Sequence, residues 1–199
     1  MGIIISGNFI LASQSPRRIE LLQQMGIENM AIIPSDIDEE ALRGETPKEH
    51  TLRLSEEKAG AVAGLHPEAW VLGADTIVVI DEEILGKPRH PAEAKEMLLR
   101  LSGREHRVFT GFTVLNRNRN ISVGQCVESS VLFRQITDDE LAWYIKTPEP
   151  YDKAGGYAVQ GIGAFFIKAI YGSYTNVMGL PLCEVVDALR QVGALRFGL

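Results

Sequence analysis

The longest apolar run of this chain, Trp70 to Ile80, is broken by a single charge, Asp75, and the segments around it alternate between strand and helix patterns. Phe9 to Ala12 has the continuous apolar character of a buried strand, and Ser15 followed by Pro16 reads as an N-cap with proline at the first helical position. A helix is expected from there to about Met25. Met30 to Pro34 reads as a second strand, followed by an acidic loop, Asp36 to Glu40. Thr46-Pro47-Lys48-Glu49 is a capping box that opens a helix to about Ala63, and Thr51, Leu54, Lys58, Ala61 and Leu65 are expected to share one face of it.

Beyond Asp75, Asp81 to Glu83 marks a turn, and Ile84 to Pro88 returns beside the strand as a hairpin. Pro91 to Leu101 has helical periodicity, with Gly103 after its end. His106 to Leu115 and Ile121 to Phe133 are two long strand patterns joined by the polar turn Asn116 to Asn120, as in an antiparallel ribbon. A second capping box, Thr137 to Glu140, starts a helix to about Lys146, which Pro148 and Pro150 stop. Ala164 to Ile170 reads as a strand, and Pro181 opens a last helix to about Val192. Helices and strands in this alternation predict a mixed α/β sheet.

Asp75 is the costly residue in that pattern. Burying a polar group without partners costs roughly 2–7 kcal/mol, and an unpaired carboxylate more, so the sequence must supply a cation, a metal or hydrogen-bond donors for it. Candidates come from separate segments. Ser13, Ser15, Arg17 and Arg18 gather at the expected N-terminus of a helix, which is positive and suited to an anion. Lys58 lies on a partly apolar helix face, where its stem would otherwise snorkel to water. Lys87 lies beside the Asp75 hairpin, and Glu39 lies in the acidic loop with Asp36, Asp38 and Glu40 as competitors. Cations beside carboxylates suit a metal triphosphate, since magnesium is held by a few carboxylates together with substrate phosphates. No His or Cys cluster has the spacing of a zinc site.

Composition narrows the classes. The 199 residues are 45% hydrophobic and 23% charged, enough for a buried core, with no low-complexity tract and no boundary between domains, so residues 1–199 are read as one domain. A net charge of -6 argues against nonspecific binding to a nucleic acid polymer but leaves room for a small phosphorylated ligand. Cys126 and Cys183 make no disulfide framework, and the Ile3-Ile4-Ile5 stretch is too short for a signal peptide or membrane span, so a cytoplasmic protein with no membrane partner is expected.

Leu11-Ala12-Ser13-Gln14-Ser15-Pro16-Arg17-Arg18, Glu57-Lys58-Ala59, Gly73-Ala74-Asp75-Thr76, Gly86-Lys87-Pro88, Leu101-Ser102-Gly103 and Asp152 to Gly161, with Gly172-Ser173-Tyr174 through Gly179-Leu180-Pro181, resemble the Maf family of nucleoside triphosphate pyrophosphatases, in the family's order. The resemblance implies an elongated mixed β-sheet flanked by helices, with two lobes around a central cleft, similar to the inosine triphosphate pyrophosphatase fold. It implies hydrolysis between the α and β phosphates, a divalent cation (Mg2+ or Mn2+) and a homodimer.

By the same resemblance Asp75 is the proton acceptor, and Arg17, Thr76 and Gln160 mark the branch acting on dTTP and UTP. A carboxamide at Gln160 can bond both the N3 hydrogen and a neighbouring carbonyl of uracil or thymine. Ser13, Arg18, Lys58 and Lys87 are assigned to the phosphates, and Asp75 with Glu39 to the metal. Whether Asp75 takes the proton or chiefly holds the metal stays open. The competing expectations are a pyrophosphatase of the 7-methyl-GTP type and a noncatalytic nucleotide-binding inhibitor of septum formation.

Overall fold

A computed structural model describes residues 2–198, so the first and last positions of the expected 1–199 domain lie outside the described residues. Strand β1 (Gly2–Ile5) precedes β2 (Phe9–Leu11), and helix α1 (Pro16–Gln24) leads to a two-residue strand, β3 (Ala31–Ile32). Helix α2 (Pro47–Leu65) then feeds β4 (Trp70–Ile80), which turns back as β5 (Glu83–Leu85). Helix α3 (Pro91–Leu101) is followed by β6 (Glu105–Asn116), β7 (Ile121–Phe133), α4 (Asp138–Tyr144), three short 3-10 turns and β8 (Ile167–Tyr171). Helices α5 (Tyr174–Met178) and α6 (Leu182–Gln191) and strand β9 (Leu195–Gly198) complete the order.

The sheet order is β3-β2-β4-β6-β7-β8, with β5 on β4. Strand β2 is parallel to β3 and β4, whereas β5 is antiparallel to β4 and β8 to β7, so the sheet is mixed as the alternation predicts. A separate two-stranded sheet pairs β1 with β9, antiparallel. The chain divides into two compact units. The first comprises residues up to Asp75, Thr110–Val127 and the chain from Gly179; the second comprises Thr76–Phe109 and Glu128–Met178.

In the first unit, α2 lies almost on the backbone of two strands. A Cβ on Gly73 would overlap the Ser55 carbonyl oxygen and sit 2.7 Å from the Ala59 nitrogen, and one on Gly111 would overlap the Thr51 carbonyl and sit 2.7 Å from the Leu52 nitrogen. Two glycines thus permit the close approach that buries Thr51, Ser55, Lys58, Ala59, Val62 and Ala63. The expected stripe ends differently: Ala61 and Leu65 are exposed. Burial follows four-residue steps instead, His50-Leu54-Lys58-Val62 and Thr51-Ser55-Ala59-Ala63, each step advancing about 40° around the helix, so Ala61, reached by a three-residue step, and Leu65 beyond it fall behind the buried face.

The second unit packs Leu98 and Leu101 of α3 and Phe133 of β7 with Tyr144, Tyr157 and Phe166 around Val78 and Ile80 of β4. Asp81 and Glu82, at φ 53° and 61°, give the β4–β5 hairpin two central residues in the left-handed region, as in a type I′ turn. Both expected capping boxes form, with the Thr46 and Thr137 hydroxyls accepting from the Glu49 and Glu140 amides and the glutamates accepting in return. Ser15 occupies the N-cap position of α1 without a side-chain cap. The strand expected from Ala164 starts at Ile167, because residues 162–166 form a 3-10 turn.

Candidate functional site

In the first unit, Lys58 joins two acids that lie far apart in sequence. Its Nζ donates to Asp75 Oδ1 at 2.7 Å and lies 2.6 Å from Glu39 Oε1. Lys58 and Asp75 are each 7% exposed, whereas Glu39 sits in an exposed segment without regular structure. The costly acid of the apolar strand is therefore ion-paired by a lysine delivered from the helix packed on its own strand. Snorkelling to water is not what Lys58 does.

Arg18 is the second buried cation, 9% exposed. Its Nε donates to the Gly179 carbonyl at 2.8 Å and one terminal nitrogen donates to Ser13 Oγ at 2.9 Å. Burial lowers its pKa from the ordinary value, and neighbouring Arg17 adds to that, while the negative charges of Asp75 and Glu39 oppose it. Ser13 Oγ also accepts from the Ser15 amide at 3.2 Å, which explains why the turn before α1 is shaped by Ser13 and not by a Ser15 cap. Ser13, Arg18, Glu39, Lys58 and Asp75 are thus linked by contact or electrostatic interaction within one unit, and half-buried Arg17 adjoins them in the first turn of α1.

A further ion-pair system, not anticipated from sequence, surrounds Arg53 on α2. Its guanidinium donates to Glu45 Oε1 at 2.6 Å and Oε2 at 2.9 Å, to Glu57 at 3.2 Å and to the Glu40 carbonyl at 3.1 Å. The Arg53 bonds, more than any other group, hold the Glu45 carboxyl down at about 2. No local periodicity distinguishes Arg53 from a solvated surface arginine, so the sequence offered no signal for it.

The second unit holds Thr76, Lys87 and Gln160. Thr76 is half-buried, and Lys87 and Gln160 are exposed. The Gly155 amide donates to the Gly86 carbonyl at 3.0 Å, joining the backbone beside Lys87 to the segment that leads to Gln160. Just past Gln160, the Ile162 and Gly163 amides donate to the Glu149 carboxylate at 2.6 and 2.7 Å, and the Tyr144 hydroxyl donates to it at 2.9 Å. Within the same segment, Tyr157 shares a 2.7 Å hydrogen bond with buried His106 Nε2.

Among the described residues, no three His, Cys, Asp or Glu side chains gather as a closed metal cage. The oxygen donors of Asp75 and Glu39, both drawn to Lys58, nevertheless suit magnesium, which takes one or two carboxylates and completes its shell with water and phosphate. Of the two cysteines, Cys126 lies against Thr51 Oγ1 at 3.3 Å and Cys183 is exposed.

Residues 8–192, a span that includes Ser13, Lys58, Asp75 and Gln160, are matched by the model of the Maf-like protein family. The chain belongs to the Maf-like family. A protein of Syntrophus aciditrophicus (strain SB) named dTTP/UTP pyrophosphatase is 57% identical over 194 residues, covering 98% of this chain and 94% of that one. A protein of Citrifermentans bemidjiense with the same name is 51% identical over 190 residues, covering 96% and 98%. Among solved structures, a nucleoside-triphosphatase / dITP/XTP pyrophosphatase from Mycobacterium abscessus aligns over 94% of this chain and 98% of that one with a TM-score of 0.48 and 12% identity, too loosely to transfer a function. No helix of this Maf-like chain is long and apolar enough, within the described residues, to cross a membrane.

Proposed function

We propose that this Maf-like chain, with residues 1–199 acting as one domain, is a dTTP/UTP pyrophosphatase that releases the nucleoside monophosphate and pyrophosphate. The observation that carries the reading is the buried Lys58–Asp75 pair with Glu39 and Arg18 beside it, in a chain whose relatives bear that name. A site of three cations (Arg17, Arg18, Lys58) and two carboxylates accommodates the phosphates and one hard metal ion without leaving a buried charge alone.

Asp75 accepts a proton from a water whose oxygen attacks the α phosphorus. The bond from that phosphorus to the oxygen bridging to the β phosphate breaks, and pyrophosphate leaves with the bridging oxygen. Arg17, Arg18, Lys58 and Lys87 offset the charge that builds on the phosphate oxygens, and Ser13 binds the phosphates with them. Asp75 and Glu39 would hold Mg2+ or Mn2+, which when bound supplies positive charge to the phosphate oxygens. Arg17, Thr76 and Gln160 select the base, Gln160 through a carboxamide complementary to uracil and thymine. We place the enzyme in the cytoplasm, as a homodimer with a house-cleaning role on canonical or modified pyrimidine triphosphates.

The test is pyrophosphate release over a panel of triphosphates with and without magnesium. dTTP and UTP are expected to lead, with release dependent on the metal. Faster hydrolysis of 7-methyl-GTP overturns the substrate assignment, and no turnover of any triphosphate favours the noncatalytic binding protein.

A further inference from the structure

The segment from Ile33 to Leu42 has no regular structure and is largely exposed, yet it delivers Glu39 to a lysine that is almost fully buried. Something must hold that segment in register. Bonds within it are short-range: the Glu40 amide to Asp38 Oδ1 at 3.0 Å, and the Leu42 amide to Glu45 Oε2 at 3.1 Å. These shape the chain but do not attach it to the helix. The attachment comes from Arg53, one to two turns before Lys58 on α2, whose guanidinium reaches the carbonyl of the residue next to Glu39 as well as both oxygens of Glu45.

The arrangement around Arg53 is close to saturated. Glu57, one turn on, accepts from the same guanidinium and holds it against the helix, and Glu45 also lies 3.0 Å from His50 Nδ1. A planar fork with five N–H donors is what such an assembly requires, and a lysine ammonium cannot span the same acceptors. Glu40 in the segment and Glu45 just past its end are thereby fixed to the helix that also presents Lys58 to Asp75.

We propose that Arg53 is a positioning residue of the metal site: it clamps residues 40–45 to α2 so that the Glu39 carboxylate is held beside Lys58 and Asp75. The inference rests on the reading of Glu39 as a metal ligand. Removal of Arg53 leaves the chemistry of both carboxylates intact but lets Glu39 sample positions away from Asp75, so the loss falls on metal affinity.

The test compares the full-length protein with Arg53→Gln, Arg53→Lys and Glu39→Gln. Mn2+ alone is titrated without nucleotide and followed by the electron paramagnetic resonance of the free ion, and hydrogen exchange of amides 36–45 is recorded in parallel. Arg53→Gln is expected to weaken Mn2+ binding about 10-fold, in the range found for residues that orient metal ligands, with Arg53→Lys falling between it and the parent. Amides 36–45 are expected to exchange faster in Arg53→Gln. If Glu39→Gln weakens Mn2+ binding while the Arg53 variants bind as the parent does, the inference is overturned, whatever their melting temperatures. If Glu39→Gln leaves Mn2+ binding unchanged, the metal reading of Glu39 fails, and the exchange data then decide the clamp: faster exchange in Arg53→Gln upholds it and unchanged exchange overturns it.

Discussion

Lys58 Nζ lies 2.7 Å from Asp75 Oδ1 with both side chains about nine-tenths buried, so each neutralises a charge the interior would otherwise reject. Removing one partner of such a pair leaves the other uncompensated. Lys58→Met is expected to cost about 3 kcal/mol of stability, and the double variant Lys58→Met/Asp75→Asn to be more stable than the sum of its singles by about 1 kcal/mol or more. Urea unfolding of the four proteins closes the cycle, and strict additivity would show that the pair is not coupled.

Asp75→Asn removes the proton acceptor while keeping shape and one acceptor oxygen. Turnover of dTTP is expected to fall by about 10²–10⁴-fold, the range of general base catalysis. Near-parental turnover sinks the assignment. Circular dichroism of the variant should match that of the parent, which separates lost chemistry from lost structure.

The approach of α2 to β4 gives two glycine substitutions opposite signs on one helix and its partner strand. Gly73→Ala puts a methyl into the Ser55 carbonyl and against the Ala59 nitrogen, so the helix must move away from the strand that carries Asp75. A loss of about 2–4 kcal/mol is expected, with activity falling in step. Gly60 lies within α2, where an added methyl would meet no heavy atom within 4 Å, and Gly60→Ala is expected to stabilise by about 0.5–1 kcal/mol. Thermal melts of both variants decide the matter; a destabilised Gly60→Ala would contradict the open space around it.

Local rules carried the sequence furthest where partners are three or four residues apart. The capping boxes Thr46/Glu49 and Thr137/Glu140 and the bounds of α3, Pro91–Leu101, are readable because proline, hydroxyl and carboxylate act within one turn. Asp75 stood out because one charge in an apolar run has to be matched. What matched it was less legible. Periodicity put Lys58 on a stripe, but the glycines at 73 and 111 that bring that stripe onto the sheet gain meaning only from the packing. Pairing of β1 with β9 joins opposite ends of the chain through half-exposed strands, and no local signal announces it. The late start of β8 at Ile167 follows from Glu149, which draws the Ile162 and Gly163 amides into a turn from thirteen and fourteen residues away.

Base selection offers a separate test in the second unit. Gln160 is exposed, and its backbone is bracketed by the Tyr157–His106 bond before it and the Glu149 bonds after it. Gln160→Ala is expected to lower the preference for dTTP over dCTP, measured as the ratio of kcat/KM, by about 10-fold or more, since a site built to bond a polar edge discriminates by leaving groups unpaired. An unchanged ratio removes Gln160 from base reading.

His106 sets a pH limit on the fold. It is 2% exposed, Nδ1 has no hydrogen-bond partner, and burial pushes its pKa down to about 3 from the ordinary 6.5. The folded chain therefore binds this proton less readily than the unfolded chain. Stability tied to His106 is fully present above pH 6.5 and is lost as pH falls through the interval from 6.5 to about 3, by at most about 1.4 kcal/mol per pH unit. The Glu45 and Glu140 carboxyls, held near 2 by Arg53 and Arg134, lose their contributions only below their ordinary value of 4.5, so they are silent between about pH 6.5 and 5.5. Urea unfolding within that window is expected to show stability decreasing on acidification in the parent, with a shallower slope in His106→Gln. Parallel slopes for the two proteins would mean that native His106 binds its proton as readily as in the unfolded chain, which would overturn the burial effect.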